Sequence, residues 1–401
     1  MQLNDFLQGV VDPKVQILVV YEAEICKHFD AYLRQIWPEG KVLIVTETDR
    51  REYAERTLIP AMKAAGYEVL YCLCVKSAGS SYRAQIEESL SDGALDGIVG
   101  IAALGSGELF AEARSLAGTC DISCCALLGE FAPLDALDAC GDTRPCADAI
   151  FFDLDWIDKK LHGDIRDAVQ TLEVDVYMTK ADVATAQALG SALPSGLLDA
   201  MSESMPPRLF SSAHPSEDEL AQLCEAYMWR SAVARIFPSS SLQTVSRYHR
   251  QSSEFASFSP SQHAQVVAQI IDAALELESL EISPEDCANH QPPKEILRRT
   301  LQQFLLQDGL GFEWLTVADA NFEDRIPLRN KLNMLIMNWD DYCTHLRPIA
   351  DVLRAIAARH EEDEVDAGMK SLWLHAARFA PRNTFIKLMN DLRIIEPALY
   401  I

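Results

Sequence analysis

Through the first part of the chain, short apolar runs alternate with stretches whose apolar positions fall three or four apart. Continuous apolar runs suit strands covered on both faces, and the wider spacing suits helices with one buried stripe. The runs predict strands over 15–20, 42–46, 69–75, 98–102, 122–128 and 149–154. Helices are expected over 22–37, over 50–65 with Gly66 as the stop, and over 81–90. A further helix follows the fourth strand, with Leu109, Ala113 and Leu116 on one face. Strands alternating with helices at this spacing imply a parallel, doubly wound sheet.

After about Trp156 the pattern changes to helices alone, expected over 164–189, 218–237, 261–280, 293–306, 327–339, 347–360 and 369–377. Pro-rich and polar joints separate them, such as Pro206-Pro207, Pro238-Ser239-Ser240-Ser241 and Pro292-Pro293. The acidic run at Glu361, Glu362, Asp363, Glu364 and Asp366 reads as a solvated loop. The expected organisation is an α/β domain over 1–158 and an all-α domain over 159–401, with a cleft between them as the default binding site.

Composition narrows the partners. The chain has 401 residues, 49% of them hydrophobic, which is enough for two cored domains. Its formal charge of -25 repels nucleic acid and anionic membrane surfaces. No stretch reads as a membrane span, and the start MQLNDFLQGVVDPK lacks the pattern of a secretory signal, so a cytoplasmic protein is expected. The 11 cysteines fall largely in apolar segments, among them the pairs Cys72, Cys74 and Cys124, Cys125, and read as reduced core thiols. Cys120, Cys124, Cys140 and Cys146 fit no usual zinc spacing.

The stretch with most chemistry is LDGIVGIAALGSGELFAE, from Leu95 to Glu112. It is a buried strand, a Gly105-Ser106-Gly107 turn and a helix start. Glycines there admit a ligand close to the backbone, and the free N–H groups of the helix start favour a phosphate. In this architecture ligands bind at the carboxyl ends of the strands.

These segments resemble the dehydroquinate synthase-like and iron-containing alcohol dehydrogenase superfamily, and within it the sn-glycerol-1-phosphate dehydrogenase branch. VLIVTETDR is similar to the family's second strand, where an acidic residue meets the adenosine ribose; Glu47 is the match. DGIVGIAALGSGELFAEARSLAG resembles the pyrophosphate strand, turn and helix. RPCADAIFFDLDWI resembles the segment closing the first domain, and AARFAPRNTFIKLMNDLRII the final helices, with Arg382 and Thr384 at matching places. The resemblance implies a Rossmann-like parallel sheet domain followed by an all-α domain.

It also implies NAD or NADP held by Glu47, Gly105, Ser106 and Gly107, and one divalent metal, usually zinc, held by an Asp and two His. His249 ends a Ser-rich turn and His263 opens a long amphipathic helix, sharing a face with Val267, Ile270, Ala274 and Leu277. Read from the residues alone, a hydrogen-bonded core His263 and a surface His249 are the favoured account, and it is the resemblance that raises the metal pair beside it. Asp164, after Gly163, is the acidic match, with Glu173 and Asp175 as alternatives; a helix cap alone would also account for Asp164.

The implied activity is interconversion of a small phosphorylated polyol and its ketone, of the glycerol 1-phosphate and dihydroxyacetone phosphate type, by a cytoplasmic homodimer or higher homo-oligomer. Departures stand beside it. Glu108, Phe110 and Ala111 occupy places where the family has Thr and then Asn-Asp, and the 122–137 region lacks the family's cofactor and substrate residues. They motivate a second reading, a diverged non-redox protein that binds a metabolite or serves in assembly. A carbon–oxygen lyase like dehydroquinate synthase ranks third, because few basic residues beyond Arg247 and Arg250 lie near the His pair.

Overall fold

A computed structural model describes the chain except for residues 11–15, 76–80, 91–94, 106, 129–147, 162–165, 195, 205–215, 235–236, 238–239, 243, 246–247, 249–257, 280–333, 336, 360–364, 381–382, 393 and 401. Two compact units emerge: Met1–Val169 with Glu203–Ile236, and Gln170–Ser202 with Phe237–Ile401.

The first unit is built on six parallel strands, β1 (Leu18–Glu22), β2 (Lys41–Glu47), β3 (Glu68–Cys74), β4 (Ile98–Leu104), β5 (Ser123–Leu128) and β6 (Ala149–Asp153), in the order β1-β6-β5-β4-β2-β3. Successive side chains point to opposite faces. Val42 and Ile44, Ala102 and Leu104, Cys125 and Leu127, and Ala149 and Phe151 therefore share one face. It is covered by Phe29, Leu33, Trp37, Leu58 and Met62 from the segments after β1 and β2. Trp37 explains a glycine: a Cβ on Gly100 would lie 2.1 Å from its Cε2, so the indole lies directly on the β4 backbone. The opposite face meets the helices Tyr82–Ser89, Gly107–Cys120 and Glu217–Ala234, the last through Tyr227 edge-on to Phe152 at 6.2 Å.

Three expected elements shift. The first strand lies at Leu18–Glu22, later than 15–20. The helix expected over 22–37 is broken into a 3-10 turn Ile25–His28 and a short helix Phe29–Leu33, because Glu24 takes left-handed backbone at φ 49°. The helix after β2 does end at Gly66, whose φ is 95°, but passes through a π turn at Ala54–Leu58. Pro60 just beyond has no N–H for the carbonyl four residues back, which suits the wider bonding.

Every described element of the second unit is helical. At its centre runs Arg166–Ala188, buried on all sides from Leu172 to Ala186. Pro260–Ser279 packs against Trp339–Ala357, with an Arg354–Asp272 ion pair between them. The latter helix begins at Trp339 and carries Pro348 inside it, whereas the sequence pattern suggested a break and a fresh start at 347. The helix expected over 293–306 lies outside the described residues. No helix among the described residues is long and apolar enough to cross a membrane.

Candidate functional site

The strand order reverses between β2 and β4. The chain leaves β2 for β3 on one side, while β4, β5 and β6 follow on the other. Chain connections diverge at such a point and leave a crevice beyond the carboxyl ends of the strands. Thr46 pairs in register with Leu104, and its hydroxyl donates to the Leu104 carbonyl at 3.1 Å, locking the two strand ends together.

Glu47 ends β2, Gly105 follows β4, and the structure brings the two into contact. A Cβ on Gly105 would lie 3.0 Å from Cγ and Cδ of Glu47 and 2.7 Å from Cδ2 of Leu109. Gly105 thus lets the Glu47 and Leu109 side chains close on the backbone, directly before the helix Gly107–Cys120. Glu108 is exposed in the first turn of that helix. Ser106 lies outside the described residues.

Glu47 is in phase with Leu43 and Val45, so it points to the face carrying the helix Tyr82–Ser89. There its carboxylate is buried and accepts a hydrogen bond from the Tyr82 hydroxyl at 2.5 Å. Ser81 caps this helix by accepting from the Ala84 N–H, which fixes Tyr82 at its first position. Tyr82 was not singled out from the sequence, where it falls within the helix expected over 81–90.

A second polar cluster closes the end of β6. Asp153 is buried, accepts the Tyr53 hydroxyl, and takes the Trp156 N–H at 3.1 Å. Tyr53 stacks on Trp156 at 4.1 Å, and the Arg50 guanidinium lies 5.9 Å from the Trp156 ring. Cys26 meets the Tyr53 hydroxyl at 3.2 Å; burial pushes its thiol up to about 12 and raises the Tyr53 phenol too. Neither the Cys26 thiol nor the Tyr53 phenol therefore serves as a base at neutral pH, and the bonds to Asp153 anchor the chain.

In the second unit, His263 sits in the first turn of Pro260–Ser279. A reciprocal cap sets that turn: the Ser259 N–H donates to Gln262 Oε1 at 2.9 Å and the Gln262 N–H to Ser259 Oγ at 3.2 Å. Val267, Ile270 and Ala274 on the same face are fully buried, whereas His263 is half-buried, edge-on to Trp373 at 5.9 Å and to Phe258 at 6.4 Å. Asp164 and His249 lie outside the described residues. Of the alternative acids, Glu173 is buried and ion-paired with Arg359 at 2.5 Å, while burial raises its pKa against that pairing. Asp175 is also buried, two residues on. Among the described residues no group of three His, Cys, Asp or Glu is arranged to hold a metal ion.

The central helix carries one more carboxylate that the sequence did not mark. Asp182 is fully buried and accepts the Ser241 N–H at 3.1 Å, the Ser241 hydroxyl at 2.7 Å and the Phe385 N–H at 2.8 Å. The Ile386 N–H completes the network at Ser241 Oγ, 3.0 Å away. Burial pushes Asp182 up to about 6, against the pull of those hydrogen bonds. Asp182 thereby joins the Ser-rich turn that leads to His249 and the start of the helix Phe385–Asp391, next to Thr384. Lys180 is buried nearby in sequence, its ammonium 5.3 Å from the Tyr177 ring, and desolvation lowers its pKa to about 8.

No protein-family model matches the sequence, and no curated protein matches it. Solved structures similar to this one include an aldehyde reductase, YqhD, from E. coli, with TM-score 0.48 and 12% identity over 96% of this chain and 98% of that one. An iron-containing alcohol dehydrogenase from Thermococcus thioreducens gives 0.47 and 11% over 96% and 98%. A glycerol dehydrogenase from Schizosaccharomyces pombe gives 0.46 and 11% over 87% and 90%.

Proposed function

We propose that this chain is a metal-dependent, NAD(P)-linked oxidoreductase that interconverts a small phosphorylated polyol and its ketone. The observation carrying the reading is the contact of Glu47 with Gly105 at the reversal of strand order, which seats an acidic side chain beside a glycine and a helix start. Gly105, Ser106 and Gly107 would hold the pyrophosphate. Glu47 would meet the adenosine ribose, whose hydroxyl takes the place of the Tyr82 phenol on the carboxylate. His249, His263 and an acid would hold the metal. The acid is Asp164 or Asp175, since Glu173 is engaged by Arg359. Imidazole and carboxylate suit zinc or iron, and three protein ligands leave a position for a substrate oxygen. When bound, the metal supplies Lewis acidity and the nicotinamide supplies the hydride.

Two observations favour the second reading, a non-redox protein that binds a metabolite. Glu47 is closed off by Tyr82, and Glu108 sets a carboxylate in the first helical turn. A carboxylate there favours the helix dipole but repels a pyrophosphate.

Fluorescence titration with NADH and NADPH separates the two. Binding is expected, strengthened in Glu108→Thr. Given metal and reduced cofactor, dihydroxyacetone phosphate should be reduced faster than dihydroxyacetone, and His263→Ala should lose its metal while keeping its helical circular dichroism. No binding of either nucleotide at millimolar concentration, by wild type or Glu108→Thr, removes the dehydrogenase reading and leaves the non-redox one.

A further inference from the structure

β3 is the edge strand beyond the Glu47 crevice, and its last residues carry two thiols that the reading above does not use. Cys72 and Cys74 are two apart, so both point to the same face, beneath the helix Tyr82–Ser89. Both are buried and free, with their sulfurs 3.8 Å apart. Cys74 pairs in register with Glu47, and the Glu47 carboxylate is one of the charges acting on the Cys74 sulfur.

The spacing selects among the uses of a thiol pair. A disulfide needs sulfurs about 2.05 Å apart and Cβ atoms about 3.8 Å apart. Residues two apart on a strand are separated by about 6.6 Å, so β3 would have to buckle. Two metal–sulfur bonds of about 2.3 Å at a tetrahedral angle place their sulfurs about 3.8 Å apart, with the strand left as it is. Cys124 and Cys125 cannot do the same, because neighbours on β5 point to opposite faces.

We propose that Cys72 and Cys74 form a two-thiolate chelating site for a thiophilic divalent cation of the zinc and cadmium type, at the sheet edge behind Glu47. Both thiol protons leave when the cation binds, and the two sulfurs become its ligands. The Cys74 thiol and the Ser89 hydroxyl pull Cys72 down, while the Cys72 thiol and burial push Cys74 up, so the cation has to displace the Cys74 proton. The neighbouring Glu47 carboxylate adds negative potential. This site is separate from the His263 metal and does not rest on the dehydrogenase reading.

The test is titration of the reduced full-length chain with Cd2+ alone, followed by the ultraviolet thiolate-to-cadmium charge-transfer band and by bound cadmium after gel filtration. Wild type should show a component with two thiolates per cation. Cys72→Ser and Cys74→Ser should each lose that component, and His263→Ala should keep it. A wild type without the band, or both serine variants retaining it, overturns the proposal. Because a buried serine can weaken the fold, a second measurement uses wild type only. Phenylarsine oxide condenses with two thiols, releasing water and leaving arsenic bonded to both sulfurs. The peptide containing Cys72 and Cys74 should carry one bridging phenylarsenic group by mass spectrometry after native treatment. Recovery of that peptide with both thiols free also overturns the site.

Discussion

Gly105→Ala tests the contact on which the functional reading rests. Gly105 does not use left-handed backbone, so alanine is acceptable to the main chain and any effect is steric. The new methyl carbon would sit 2.7 Å from Leu109 Cδ2 and 3.0 Å from Glu47 Cγ and Cδ. Neither neighbour retreats freely: Leu109 is fully buried and Glu47 is held by Tyr82. Forcing one extra carbon into packed space of this kind costs about 1–3 kcal/mol. Pushing Glu47 and Leu109 aside disturbs the start of the helix where the pyrophosphate is proposed to bind, and NADH affinity should fall at least about tenfold, or about 1.4 kcal/mol. Denaturant unfolding followed by fluorescence measures the first loss, and nucleotide titration the second. Adding Leu109→Val removes a methylene from one clash and should recover part of the stability, with a coupling of about 0.5 kcal/mol or more. A Gly105→Ala protein that unfolds at the wild-type denaturant concentration and binds NADH as wild type does would refute the packing argument.

Two further outcomes follow from the second unit. Asp182 has a folded pKa near 6, above the unfolded value, so its contribution to stability is full below about pH 4 and is lost as pH rises through about 6. Between pH 5 and 7.5 wild type should lose about 1.4 kcal/mol relative to Asp182→Asn in paired unfolding experiments, and a flat difference would contradict the assignment. Arg359→Ala leaves the Glu173 carboxylate buried without its cation and should cost about 3 kcal/mol, the low end for a buried pair because Arg359 is 30% exposed. Adding Glu173→Gln should restore much of this loss, as read by the unfolding midpoint.

The parts of this structure legible in the sequence are those set by local pattern. β2 and β4 follow from the runs VLIVT and IVGIAA, and the glycine turn follows from its position between an apolar run and a helical spacing. The described helices of the second unit follow from their periodicity, except that a fresh start expected at 347 proved to be the interior of Trp339–Ala357; the helix expected over 293–306 and residues 327–333 lie outside the described residues. Glu24 gave no signal of its left-handed backbone, so the broken helix after β1 read as continuous. Polar residues whose roles depend on distant partners were not legible. Tyr82 meets Glu47 from 35 residues away, through the seating of a helix on β3. Asp182 looks like a solvent-facing position until Ser241 and Phe385 converge on it.

The central helix also constrains the order of folding. Its buried polar groups are satisfied only by remote parts of the chain: Ser241 meets Asp182 from 59 residues away, Tyr342 meets Thr185 from 157, Arg359 meets Glu173 from 186, and the Phe385 N–H meets Asp182 from 203. Until those partners arrive, burying this helix leaves carboxylates and hydroxyls without bonds, which is costly. Contacts of such long sequence separation form slowly because loop closure precedes their reward. During synthesis, the first unit has all its residues once Ile236 is made, while the second unit still waits for residue 385 to leave the ribosome. A chain cut short before Phe385 therefore lacks the last donor to Asp182 and leaves that buried carboxylate short of a bond.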